Sequence, residues 1–376
     1  MSFIEHFSII EDPRTDINIK HRLIDILFLT LCGVLSGAEG WDEIREFGEQ
    51  KQTWLKKFLN YDNGIPSAST IKRVIGVIEA EILLNSYINW INSIREQQDL
   101  NIIAIDGKTL KQSYKNSDDK LTALHSISAY ATEEGITLTL TDSKTKKNEI
   151  QGVLELIEVL ELKNTIITAD AMSCNKKITK AITDKQGDYV LQIKANQSKL
   201  LEEIKAYFHK IRRDEPNLIE QGYYENTDAG HGRIETRQCT QLAISGWFDH
   251  AKEWANLNSV VEVIRTRLNK KTGKQTTQTA YYISSLPINP QQLNYVIRRH
   301  WAVENSLHYV LDVTFKEDSC RIREQQATKN MALFRRASVS LIKSSSIKGS
   351  IKSIVKRCAW NHDIIEQVIF GKTIVG

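Results

Sequence analysis

NIIAIDGKTLK at 101–111 and TIITADAMSCNKKI at 165–178 decide the fold of this chain. Each opens on an apolar, β-branched run, Asn101 to Ile105 and Thr165 to Ala169, and each run closes on an aspartate, Asp106 and Asp170. Short unbroken apolar runs read as strands buried on both faces, the habit of parallel sheets. An acid at such a strand end sits where open α/β sheets build their sites. A third acid, Glu304, lies in HWAVENSLHYVLDVTFKEDSCRIR at 300–323. The pattern there is helical from roughly Gln291 to Asp312, and Trp301, Leu307, Val310 and Leu311 form an apolar stripe expected to bring Glu304 toward the sheet, with Trp301 in the core. Two strand-end aspartates and a helical glutamate are the hard oxygen donors that Mg²⁺ takes for phosphoryl transfer. Taken singly, each acid reads more readily as a turn former or helix cap than as a ligand.

Outward from these runs the pattern is strand 101–106, strand 124–130, a Glu-Glu-Gly turn, strand 136–141, helix 149–160, strand 165–170, helix 176–185 and strand 188–193. Three antiparallel strands, then a helix and a parallel strand beside the first, is the order of an RNase H-like fold, and it brings Asp106 and Asp170 to neighbouring strand ends. Between Ile193 and the Glu304 helix lie far too many residues for a loop. After a helix at 199–212, strands are expected at 222–226, 233–242, 259–267 and 275–285, with KKTGK at 270–274 as a hairpin tip. Residues 1 to 97 read as helices, and PSASTIKRV opens one of them with Lys72 and Arg73 placed to enter a DNA groove. The expectation is an α/β chain: a helical N-terminal module at 1–97, an RNase H-like core in 98–376 with a β-rich insertion at about 213–287, and a basic helical C-terminal region.

An apolar share of 41% and a charged share of 26% describe a soluble globular chain, with a net charge of only +4. The basic character is local. Between Gln325 and Trp360 stand Lys329, Arg335, Arg336, Lys343, Lys348, Lys352, Lys356 and Arg357 with no acid among them, on a helical pattern that suits a phosphate backbone. Cys32, Cys174, Cys239, Cys320 and Cys358 are widely spaced and form no CxxC pair, so neither a disulfide framework nor zinc is expected, and a reducing cytoplasm is. The apolar run Ile26 to Ala38 is too short for a membrane span and reads as a buried helix. GHGRIETR at 230–237 sets Arg233 and Arg237 on one strand face with Glu235 between them, suited to gripping a backbone. His231 beside its glycines ranks below the arginines. Lys108 and Lys111 follow Asp106 closely enough to neutralise phosphate, or to be solvent-facing loop charges. His300, Glu304, His308 and Asp312 recur every fourth residue, so His308 and Asp312 are placed to orient Glu304 or touch the cut strand.

In this order the strings DPR at 12–14, DILFLTLCGVLSGAEGWDEIREFG at 25–48, GIPSAST at 64–70, IAIDGKTLK at 103–111, DAMSCNKKI at 170–178, GDYVLQIKANQ at 187–197, GHGRIETR, YYISSL at 281–286 and the Glu304 motif resemble the H-repeat-associated insertion-sequence transposases, the DDE enzymes of Rhs elements in bacteria. The resemblance covers nearly the whole chain. It implies that Asp106, Asp170 and Glu304 are catalytic metal ligands for two Mg²⁺ ions, with Mn²⁺ as a substitute. It also implies double-stranded DNA as partner, at transposon ends and target, a homodimer on that DNA, no membrane, and a nucleoid-associated location. Where many relatives of the wider DDE group carry Arg four before the glutamate, Tyr seven before and Lys seven after, this chain has His300, Ile297 and Leu311; Arg298, Arg299 and Lys316 stand nearby as substitutes. Two alternatives stay open: a domesticated, non-catalytic DNA-binding protein, and an RNase H-like nuclease without strand transfer.

Overall fold

The computed structural model describes residues 3–15, 19–94, 100–113, 123–143, 149–230, 232–244 and 248–371. The chain forms two compact units, the first of residues 1–98, 107–146 and 303–376 and the second of 99–106 and 147–302. The strands among the described residues are β1 (Asn101–Thr109), β2 (His125–Ala131), β3 (Ile136–Ser143), β4 (Thr165–Ala169), β5 (Asp188–Ile193), β6 (Tyr223–Gly230), β7 (Arg233–Ala243), β8 (Ser259–Asn269) and β9 (Gln275–Ser284). The class is mixed α/β with a large mixed sheet.

In the second unit the sheet runs β1-β4-β5-β9-β8-β7-β6. β1, β4 and β5 are parallel, with Asn101 opposite Thr165 through Ile105 opposite Ala169. Every residue of β4 is buried, as a strand covered on both faces requires. β9 then pairs antiparallel with β5, setting Val190 opposite Ser284, so β6 to β9 extend the same sheet as a run of antiparallel strands. KKTGK forms the β8–β9 turn, where Gly273 takes φ +67 and its N–H donates to the Asn269 carbonyl at 2.9 Å. At the foot of β6 a Cβ on Gly222 would stand 2.1 Å from the Gln241 carbonyl oxygen, so only glycine fits. The helix Pro290–Ala302 lays Leu293, Val296 and Ile297, at helical spacing, onto Ile102, Ile166, Val190, Cys239, Val261 and Val263 of the sheet. Each such buried side chain contributes about 1.5–3 kcal/mol.

In the first unit the strand order is β3-β2-β1, β2 and β3 forming an antiparallel hairpin with a bulge between Ala129 and Tyr130. Helix Gln325–Ser344 runs through this unit and packs on helices Leu23–Leu35, Ala68–Val77 and Ala80–Ile94 and on β3. Polar anchors fix it: Asn330 Nδ2 donates to the Ile75 and Ile78 carbonyls at 2.8 and 2.9 Å, and Ser340 Oγ accepts from the Thr137 N–H at 3.1 Å. Leu23–Leu35 is buried from end to end save one position, the core helix its composition suggests. No single helix among the described residues is long and apolar enough to cross a membrane.

Candidate active site

Asp106 and Asp170 both belong to the second unit and both follow the last register pair of β1 and β4, Ile105 opposite Ala169. They therefore stand at the same level of neighbouring parallel strands, one residue past that pair. β1 continues to Thr109, so Asp106 lies within a strand that outruns its partner rather than at the strand's end. Asp170 is the N-cap of the 3₁₀ turn Ala171–Ser173, and its Oδ1 accepts the Ser173 N–H at 3.2 Å. Burial holds the Asp170 carboxyl above the usual aspartate value against the Ser173 and Met172 N–H groups, with Glu149 pushing the same way and Lys194 opposing. Glu149 was not anticipated as a neighbour of this site: it opens helix Glu149–Val159, is itself buried, and lies about 21 residues earlier in the chain, a distance no spacing rule bridges. Thr168, two residues before Asp170, meets His300 Nδ1 at 3.1 Å. Half-buried carboxylates of this kind suit a hard divalent cation, whose charge relieves their burial.

Glu304 lies in the first unit, in a π-helical stretch Val303–His308 rather than the continuous α-helix expected over 291–312. α-Helix resumes at Tyr309–Val313. π turns are frequent at functional positions, since the wider turn displaces the residues that follow. Glu304 is exposed, and the buried His308 sets Nδ1 3.4 Å from its Oε2. His308 thus faces Glu304 as expected, but at 5% exposure it is not a DNA-facing residue. Asp312 does not join it. Its carboxylate lies 2.7 Å from Lys108 Nζ.

The basic residues sort sharply by burial. Lys108, expected near phosphate or in solvent, is 8% exposed and ion-paired to Asp312, Asp318 and Glu317. Lys111 is exposed and pairs with Asp318 at 2.7 Å. Arg335 and Arg336, expected on a phosphate-facing helix, are 1% and 0% exposed; Arg336 donates to Glu317 at 2.8 Å and Arg335 to Cys320 Sγ at 3.1 Å. A guanidinium sealed in a core beside its own carboxylate cannot reach DNA, so that expectation is corrected. The basic count of the segment hid a core helix because alternating charge and apolar residues look amphipathic whichever side is covered. Lys352 and Lys356, on helix Ile351–Trp360, are exposed.

On the second unit, β7 carries Arg233, Glu235 and Arg237 on one face, opposite Asn269, Arg267 and Arg265 of β8. Glu235 is buried and pairs with both Arg237 and Arg267; Arg237 also meets Asp228 at 3.1 Å. Arg237 is a clamp inside the sheet face, whereas Arg233 is exposed. Arg298 pairs with Asp228 at 2.5 Å, and the Arg299 guanidinium lies 5.8 Å from the Tyr295 ring centroid. Trp301 is not core: it is 51% exposed, with Arg265 stacked 5.8 Å from its ring. His231 lies outside the described residues.

The sequence profile described as "Transposase DDE domain" matches residues 97–341, and the one described as "DDE_Tnp_1-associated" matches residues 4–91. The chain is 36% identical to "Putative transposase YncI" of Escherichia coli O157:H7, covering 100% of this chain and 96% of that one. It is 35% identical to "H repeat-associated putative transposase YhhI" of Escherichia coli K12, over 98% and 97% of the two chains. A short relative named "Inactive transposase YbfQ" is 49% identical over 19% of this chain. Among solved structures, a piggyBac transposase synaptic complex with hairpin DNA aligns at 12% identity and a TM-score of 0.44, covering 99% of this chain and 77% of that one. The chain belongs to the DDE transposase family, with the H repeat-associated members of Escherichia coli among its relatives.

Proposed function

We propose that the protein is the transposase of an insertion sequence, cutting DNA at transposon ends and joining the freed ends to target DNA, with an RNase H-like core whose ligand set is Asp106, Asp170 and Glu304. The observation that carries this reading is the parallel register of β1 and β4, after which Asp106 and Asp170 follow side by side. Glu304 supplies the third carboxylate in the family's order, and His308 holds that carboxylate through Nδ1. Asp106, Asp170 and Glu304 would hold two Mg²⁺ ions, or Mn²⁺ in their place, which would supply Lewis-acid activation of a water for cleavage and of the 3′-hydroxyl for transfer. Everything else is binding and orientation by the chain. Thr168 and His300 steady the strand before Asp170, and the Ser173 N–H fixes its rotamer.

The N-terminal helices at 1–97 are assigned to recognition of the transposon end, through the exposed Lys72 and Arg73 midway along helix Ala68–Val77. The β-rich segment at about 213–287 grips DNA flanking the cut through Arg233, and the exposed Trp301 of helix Pro290–Ala302, beside Arg265, offers a stacking surface. Lys111, Arg298 and Arg299 contribute further positive charge. The active form is a homodimer bridging two ends in the bacterial nucleoid. The test is a reaction of the full chain with Mg²⁺, a duplex carrying the inverted repeats that flank its gene, and a supercoiled plasmid. Joined products are expected. Cleavage without joining would instead support a nuclease of the same fold, and binding without cleavage a domesticated DNA-binding protein.

A further inference from the structure

Two residues past Asp106, Lys108 points its ammonium into the first unit. Its Nζ lies 2.7 Å from Asp312 Oδ1, 2.8 Å from Asp318 Oδ1 and 3.5 Å from Glu317 Oε2, and its side chain is only 7% exposed. The three acids come from the segment that directly follows the π stretch of Glu304: the short helix Tyr309–Val313 and the 3₁₀ turn Glu317–Ser319, joined through Lys316 at φ +52. From the other side Arg336 binds Glu317 at 2.8 Å and its Nε donates to Ser128 Oγ of β2 at 3.2 Å. Lys111 closes the outer edge on Asp318. Among the described residues, Lys108, Lys111 and Arg336 are ion-paired with these three carboxylates, and Arg335 adds its charge beside Glu317. Burial alone would pull the Lys108 ammonium's pKa down, but Glu317, Asp312 and Asp318 hold it above the usual lysine value.

We infer that Lys108 is a positioning residue for the proposed metal site, clamping the segment that follows Glu304 onto the end of β1. The inference rests on the proposed ligand set. A divalent cation tolerates ligand displacements of only about half an ångström, so a glutamate whose supporting segment slides is a poor ligand even when present. Lys108 joins the strand following Asp106 to the chain following Glu304 at three separate acids. Charge counting alone predicts the opposite effect of removing it: deleting a cation beside three acids should draw a divalent ion in more strongly. The sign of the change therefore separates positioning from simple electrostatics.

The experiment measures Mn²⁺ binding to the full chain without DNA by isothermal titration, and the Mg²⁺ concentration that half-saturates cleavage, for Lys108→Met, Lys108→Arg and Asp106→Asn. Lys108→Met is expected to weaken Mn²⁺ binding roughly 10- to 100-fold and to raise the half-saturating Mg²⁺ by a similar factor, with duplex affinity unchanged. Lys108→Arg restores most of the loss, and excess Mn²⁺ rescues cleavage by Lys108→Met but not by Asp106→Asn. Should Lys108→Met fail to fold, Asp312→Asn, which leaves Lys108 its two other acids, is expected to shift the same readouts in the same direction by less. Mn²⁺ binding by either variant as tight as wild type or tighter, or a loss of DNA affinity with unchanged metal dependence, overturns the inference while leaving the ligand set standing. Wild-type Mn²⁺ binding by Asp106→Asn instead removes the ligand set itself.

Discussion

Arg336→Met is the sharpest test of how this chain uses its basic residues. Arg336 and Glu317 form an ion pair whose side chains are both 0% exposed, 2.8 Å apart, in the centre of the first unit. Deleting the cation leaves Glu317 buried, with the more distant Lys108 at 3.5 Å and the charge of Arg335 as weaker compensation, and removing one partner of a buried pair costs about 3–5 kcal/mol. For a unit of this size each kcal/mol lowers Tm by about 2–4 °C, so a fall of about 6–20 °C is expected. The matched control is Lys352→Gln with Lys356→Gln, both exposed, where the stability change should stay within about 0.5 kcal/mol per site while the salt dependence of duplex binding becomes shallower. Circular dichroism melts and fluorescence anisotropy at several salt concentrations read both variants. If Arg336→Met melts like the wild type yet flattens the salt dependence, Arg336 is a phosphate contact and the burial argument is refuted.

Arg233→Gln should leave the melting temperature unchanged and slow cleavage of the transposon end, whereas Arg237→Gln should cost about 1–3 kcal/mol, because it removes a guanidinium from the buried Glu235; equal stability losses in the two would show that both are structural. Acid should destabilise the first unit through Glu317 and Asp318. Burial would raise both carboxyls, but Arg336, Lys108 and Arg335 hold Glu317 below its usual 4.5, and Lys108 and Lys111 hold Asp318 below its usual 3.8. Depressed carboxyls contribute stability above their unfolded pKa and lose it as pH falls through the lower folded value, so Tm should drop on acidification below those values, and less steeply in Glu317→Gln. An equally steep acid loss in Glu317→Gln would assign the effect to other groups.

What was legible in the sequence follows from where periodicity and burial agree. Parallel strands buried on both faces leave an unbroken apolar run, so β1, β4 and β5 and the acids after Ile105 and Ala169 could be read directly. Three of the antiparallel strands, β7, β8 and β9, end within two residues of the reading because turn residues such as Gly273 mark their ends, whereas β6 runs on to Gly230, four residues past the expected end. What could not be read is which side of a charged helix is covered. Gln325–Ser344 carries arginines and reads as amphipathic, but its polar residues are matched by Glu317, Ser128 and backbone carbonyls contributed from distant stretches of the chain. The fate of Lys108 was hidden for the same reason: its three acids stand some two hundred residues on. The π turn at Val303–His308 leaves no mark on hydrophobic spacing, and it spoils the simple stripe that placed Trp301 in the core.

Mg²⁺-dependent cleavage of a transposon-end duplex by Asp106→Asn, Asp170→Asn and Glu304→Gln, each checked for an unchanged melt and unchanged duplex affinity, tests the ligand set most directly. Loss of cleavage by a factor of at least about 10³ in all three, with binding and fold intact, is predicted, because each change removes a metal ligand and leaves the shape of the side chain. Wild-type cleavage by any one of them contradicts the account.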